Sequence, residues 1–157
     1  AKVYAVDSGH GQLDESLVND SRVVNLEGVN ARYMTEETLG EPCDIAVADL
    51  SFISQTLVLP ALKNILKENG AVVTLIKPQF ECGKSALNKN GIVKDKKQHI
   101  LALRQVLSCA TECGIIPQKI MRSPITGGDG NTEFLMYAAL GGHQCITDND
   151  IKNTVSE

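Results

Sequence analysis

Three apolar runs stop on residues able to do chemistry. Val3 to Val6 ends at Asp7, Ile45 to Ala48 at Asp49, and Ala71 to Ile76 at Lys77; a shorter run, Val23 to Leu26, ends at Glu27. In open sheets of parallel strands, ligands bind beyond the carboxyl ends of the strands. An acid closing the first strand commonly accepts hydrogen bonds from the two hydroxyls of a ribose; the same Asp7 can equally cap the Gly9-His10-Gly11 turn behind it. Asp49-Leu50-Ser51-Phe52-Ile53-Ser54 sets hydroxyls and one aromatic ring directly after an acid, with helix capping by Asp49 or Ser51 as the alternative use. Lys77-Pro78-Gln79-Phe80-Glu81 ends an apolar strand on a cation. That placement is costly unless the amine reaches water or a carboxylate, and a lysine snorkelling to the surface is the competing reading. Asn131-Thr132-Glu133 places a further carboxylate at the start of the last apolar run, where an exposed Glu would also be ordinary.

The elements that must position these residues follow from periodicity. Leu13 to Val18 reads as a short helix after the first strand. Ser51 to Lys67 carries apolar residues near the 3.6-residue period, with Pro60 kinking it or starting a second helix and Gly70 closing it. Ala71 to Ile76 has the continuous apolar character of a central parallel strand. Gln79 to Lys94 is polar and loop-like, after which Asp95 caps a long helix that keeps Ile100, Leu103, Val106, Leu107 and Ala110 on one face until Gly114. Ile115 to Arg122 and Thr132 to Leu140 flank the turn 126–131 as an antiparallel pair. The sequence therefore predicts an α/β domain over residues 1–140, mostly parallel with a C-terminal antiparallel hairpin. Residues 141–157 form a polar, acidic tail without a structural pattern.

Composition narrows the function. The 157 residues, 43% hydrophobic and 22% charged, suit one globular domain. No apolar stretch reaches the ~18–20 residues of a membrane helix, and no signal segment opens the chain. Five cysteines, at 43, 82, 109, 113 and 145, lack zinc-ribbon spacing and read as reduced, cytoplasmic thiols, with no metal site. Trp is absent and aromatics make up 4%, which argues against a dense base-stacking platform. The net charge of −4 divides unevenly. Residues 77–104 carry +5 and the remainder −9, so Lys84, Lys89 and Lys94 form a basic loop beside Lys77. Such a loop suits phosphate contacts with an RNA strand, or is simply a solvated surface.

The runs Asp49-Leu-Ser-Phe-Ile-Ser, Leu57-Val-Leu-Pro-Ala-Leu, Lys77-Pro-Gln-Phe-Glu, Ser123-Pro-Ile-Thr-Gly and Gly130-Asn-Thr-Glu-Phe-Leu, in this order, resemble the methyltransferase domain of the TlyA-type hemolysins, members of the FtsJ-like ribosomal RNA 2′-O-methyltransferases. The resemblance covers about residues 2–140. It implies a Rossmann-like fold that binds S-adenosylmethionine and a Lys-Asp-Lys-Glu catalytic tetrad. Its Asp falls on Asp49, its second Lys on Lys77 and its Glu on Glu133. Asp7 falls where the cofactor ribose is held, Asn30 in a segment near the adenine, and Asp49 and Phe52 beside the cofactor. The implied partner is ribosomal RNA or a ribosomal subunit, with no membrane. A ribose 2′-hydroxyl is a poor nucleophile at neutral pH, so transfer needs a nearby base in its neutral form; partial burial or a second cation favours a neutral lysine.

The family's first tetrad lysine, the strand after it and that strand's Gly-rich turn have no counterpart in these residues, and Lys2 lies on the wrong side of the motif to replace the lysine. The first strand of the fold is thus expected to be lacking, as is the S4-type RNA-binding domain usual upstream. This chain is read as a fragment that binds cofactor poorly alone. The alternative is a non-catalytic RNA- or protein-binding module derived from a methyltransferase.

Overall fold

The computed structural model describes residues 1–143 and 145–157; Gln144, within the expected tail, lies outside the described residues. The strands are β1 (Val3–Asp7), β2 (Val23–Glu27), β3 (Cys43–Ala48), β4 (Leu66–Ile76), β5 (Ile115–Arg122) and β6 (Phe134–Leu140). The helices are α1 (Glu15–Val18), α2 (Glu36–Leu39), α3 (Leu59–Asn64), α4 (Pro78–Glu81), α5 (Lys96–Glu112) and α6 (Asp148–Ser156).

The strands form two sheets. β1 and β2 pair in parallel by themselves, whereas β3, β4, β6 and β5 lie in that order in a second sheet, with β3 and β4 parallel and β6 antiparallel to both β4 and β5. Among the described residues, β1 and β3 each keep one edge without a ladder partner. The larger sheet holds the core. Val72 and Ile76 of β4 and Phe134, Met136 and Ala138 of β6 are buried, and α5 adds Leu103, Val106, Leu107 and Ala110. Each large apolar side chain so buried is worth about 1.5–3 kcal/mol. β1 and β2 contribute no fully buried residue.

In the region 51–70 Pro60 stands at the start of a separate helix, the second of the two expected courses, rather than kinking one that runs from Ser51. Ser54 accepts from the Thr56 N–H and caps a 3₁₀ turn at Gln55–Leu57, and α3 then starts with Pro60 in its first turn, where a missing N–H costs nothing. Gly70 does not end the helix; it lies inside β4. The pairing slips here from Cys43↔Leu66 to Ile45↔Ala71, so the chain bulges, and Lys67 spans the bulge to Asp44 at 2.7 Å. A Cβ on Gly70 would come within 2.9 Å of both Leu66 Cβ and the Lys67 carbonyl oxygen, which is why glycine stands at this fold-back.

The segment 79–94 is also less open than expected, since it includes most of α4 and a 3₁₀ turn at Lys84–Ala86. The tail expected to lack structure contains α6. Thr147 and Asp150 form a reciprocal capping box, and Ile151, Thr154 and Val155 are buried as α6 packs on α5 and β5. Asp95 caps α5 through the Lys97 N–H, and the β5–β6 pair is antiparallel, both as the sequence predicts.

Candidate active site at the strand ends

Pro78 holds the residue before it in the extended region, so Lys77 (φ −112°, ψ 100°) continues the direction of β4 before α4 turns away. Its Nζ lies 2.7 Å from Asp49 Oδ1 and donates to Ser51 Oγ at 3.2 Å. Asp49 thus reaches across to the next strand instead of capping a helix. The lysine side chain is 12% exposed and the aspartate side chain 70%, so an amine shielded by the fold faces a carboxylate on the solvent side.

Antiparallel register brings Glu133 to the same place. Ile76 pairs with Phe134 as the last rung of the ladder, and Lys77 and Glu133 are the residues flanking that rung. Glu133 is buried, and its Oε1 accepts from Gln79 Nε2 at 3.1 Å. Glu133 is therefore tied to the lysine segment through Gln79, whose own Oε1 is buried without a partner among the described residues. The turn 127–131 packs on this carboxylate so closely that a Cβ at Gly127 would lie 2.6 Å from Glu133 Oε1.

Phe52 follows Asp49 in the left-handed region, at φ 62°, a conformation that costs a non-glycine residue about 1–2 kcal/mol. Its ring is 92% exposed and lies 5.1 Å from the Phe80 ring of α4. Glu81, at the end of α4, is buried and accepts from Ser54 Oγ and from the Gln55 N–H.

The other expected residues stand apart from this cluster. Asp7 Oδ1 accepts from the Gly9 N–H at 2.7 Å and closes the turn; its Oδ2 has no partner among the described residues. The neighbouring Glu27 is engaged by the Gly11, Gln12 and Leu13 N–H groups, and the Gly11 bond leads in holding its pKa below the usual carboxylate value. Asn30 accepts from the Arg32 N–H and caps a 3₁₀ turn. Lys2 pairs with Glu41 at 2.8 Å.

Lys84, Lys89 and Lys94 are exposed and, among the described residues, form no ion pair. Their loop is nevertheless fixed. Asn131 Oδ1 accepts from the Val93 N–H and its Nδ2 donates to the Gly91 carbonyl, while His99 Nε2 donates to the Val93 carbonyl at 2.9 Å. A hollow of about 280 Å³ between α5 and α6, lined by Leu107, Ile146 and Ile151 among others, contains none of the strand-end residues.

Sequence reasoning missed Ser51, Ser54, Gln79, Glu81 and Asn131 as structural partners of the site. Gln79 and Glu81 were visible within the same short run as Lys77. No helix among the described residues is long and apolar enough to cross a membrane.

Residues 1–140 match the family model of the FtsJ-like methyltransferases. The chain is 41% identical over 160 residues to YqxC of Bacillus subtilis, which carries the name of an rRNA methyltransferase; the match covers 98% of this chain and 57% of that protein. It is 39% identical over 155 residues to the 16S/23S rRNA (cytidine-2′-O)-methyltransferase TlyA of Mycobacterium tuberculosis, covering 99% of this chain and 58% of TlyA. A solved structure from Streptococcus thermophilus that bears the hemolysin name superimposes with a TM-score of 0.92 at 39% identity, over 99% of this chain and 57% of the other. The chain thus spans less than three fifths of each of these relatives.

Proposed function

Because the chain belongs to the FtsJ-like methyltransferase family, we propose that it carries catalytic residues of an S-adenosylmethionine-dependent ribosomal RNA ribose 2′-O-methyltransferase acting in the cytoplasm. The observation that carries this reading is the Lys77–Asp49 pair, 2.7 Å apart at the carboxyl ends of β4 and β3, with the amine shielded from water. In this reading Asp49 and Ser51 aim the Lys77 amine, which, once it has released its own proton to solvent, accepts the proton of the ribose 2′-hydroxyl at Nζ, and Glu133, steadied by Gln79, orients the hydroxyl.

The residues present fit the cofactor. The open Oδ2 of Asp7 would suit the ribose hydroxyls, Asn30 would serve the adenine, and the exposed carboxylate of Asp49 and the Phe52 ring would serve the sulfonium. When bound, the cofactor supplies an electrophilic methyl group. Lys84, Lys89 and Lys94, on a loop braced by Asn131 and His99, meet RNA phosphates. In the whole protein an S4-type domain adds RNA affinity.

The test is transfer of labelled methyl groups from S-adenosylmethionine to ribosomal RNA by the whole protein. Ribose 2′-O-methylation that Lys77→Met abolishes is the expected result. RNA binding with no transfer under any condition would overturn it in favour of a binding module.

A further inference from the structure

Glu81 takes no part in the chemistry assigned above, yet it is 9% exposed and both its oxygens serve one loop. Oε2 accepts from Ser54 Oγ at 2.5 Å and Oε1 from the Gln55 N–H at 2.8 Å. Ser54 Oγ also accepts from the Thr56 N–H and lies 2.7 Å from Thr56 Oγ1. Gln55, itself 2% exposed, donates from Nε2 to the Leu75 carbonyl of β4. The segment 49–55, which carries Asp49, Ser51 and Phe52, is therefore fastened at its far end to β4 and α4. Lys77 immediately precedes α4, and Phe80, on α4, carries the ring beside Phe52.

Among the described residues no cation pairs with this carboxylate. The titratable groups that bear on it are the Cys82 thiol next in sequence and the Cys109 thiol of α5. Burial raises the Glu81 pKa against the pull of its two hydrogen bonds. An uncompensated buried carboxylate is a poor source of stability, and an apolar residue of similar size would serve the core better. Its value lies in what its two oxygens hold in place.

We propose that Glu81 is a positioning residue, a latch whose carboxylate fixes the 49–55 loop so that Asp49 and Phe52 keep their places beside Lys77; this deepens and rests on the methyltransferase reading. Among the described residues Glu81 makes no hydrogen bond or ion pair with Lys77 or Asp49, so it acts through the loop.

The test compares Glu81→Ala, Glu81→Gln and Ser54→Ala in the full protein by two readouts, amide hydrogen exchange and methyl-transfer kinetics. Glu81→Ala is expected to speed exchange of the Gln55 amide by about 10- to 100-fold, the equilibrium worth of a hydrogen bond to a charged group, while the β4 and β6 amides stay protected. It is expected to lower kcat by about tenfold or more with little change in RNA affinity. Glu81→Gln restores both, because its amide oxygen accepts from Gln55 and its NH₂ donates to Ser54. Unchanged Gln55 exchange in a folded Glu81→Ala protein overturns the latch, as does a Glu81→Gln protein as impaired as Glu81→Ala. If Glu81→Ala does not fold, Ser54→Ala decides, since it removes one arm only: faster Gln55 exchange supports the latch and unchanged exchange overturns it. A wild-type protein without methyl transfer defeats the functional reading, while hydrogen exchange still decides the latch.

Discussion

Asp49 and Asp7 occupy equivalent places, each at the carboxyl end of a parallel strand, but they are used differently. Asp49 is engaged by a lysine from the neighbouring strand, whereas Asp7 closes a turn two residues ahead of it. The same contrast runs through the two sheets. In β3-β4-β6-β5 the site residues are linked across elements, Lys77 to Asp49 and Gln79 to Glu133, above a core that contains Phe134 and Ile76. In β1-β2 no strand residue is fully buried, and the polar contacts, from the Gly11 and Gln12 amides to Glu27 and from Tyr4 to Glu41, are solvent-exposed. Links over a packed core give fixed geometry, which proton transfer demands; solvent-exposed links over a thin layer open more easily.

Substitutions can break this division of labour. The largest effect is expected from Lys77→Met, which should lower methyl transfer by roughly 10²–10⁴-fold, the usual contribution of a general base, while RNA binding in a filter assay stays within a factor of two or so. Hydrogen exchange sharpens the comparison directly. Amides of Val72, Thr74 and Met136 are expected to exchange only in global unfolding, and those of β1 and β2 by local opening at least tenfold faster; equal protection would erase the distinction. Asp7→Ala should weaken S-adenosylmethionine binding by about tenfold in calorimetry, the worth of one or two hydrogen bonds, with little loss of kcat at saturation. Gly127→Ala, whose new methyl would press on Glu133, should cost about 1–3 kcal/mol in thermal denaturation.

The smallest effects concern pH, and the two halves should respond with opposite signs. Glu27 holds its proton less tightly folded than unfolded, so its stabilisation is present above the ordinary carboxylate range and is lost as pH falls through the lowered value. Glu81 is raised by burial, so the folded state retains a proton that the unfolded state has released. Stability therefore declines as pH climbs from the ordinary 4.5 through the raised value. Denaturant titrations of Glu27→Gln and Glu81→Gln across this range should change the acid limb in the first case and flatten the higher limb in the second.

Much of this was legible from sequence because strand ends are marked by type. An apolar run broken by Asp or Lys announces both the strand and the place where ligands meet it, and Asp49 and Lys77 did so from opposite sides of one contact. The long helix was equally plain, since Asp95, the apolar stripe and Gly114 agree. What escaped depended on tertiary contacts. Ile151 and Val155 are the two apolar residues that bury α6, too few for a periodic signal, although Thr147-x-x-Asp150 was a capping box in plain view. Lys67-Glu68-Asn69 looks like a helix end, and pairing with β3 draws it into a strand bulge instead. Nothing local in Glu81 tells that it reaches back 27 residues to Ser54.

The unpaired edge of β3 has a colloidal consequence. Among the described residues one edge of that strand has no ladder partner, and its Ile45 and Val47 are 52% and 75% exposed, a combination that templates pairing with another chain. The chain's net charge of −4 opposes such association. Acidifying a concentrated solution of this chain toward zero net charge, or screening it with salt, removes that repulsion while leaving the edge as it was, and association through β3 is the expected outcome.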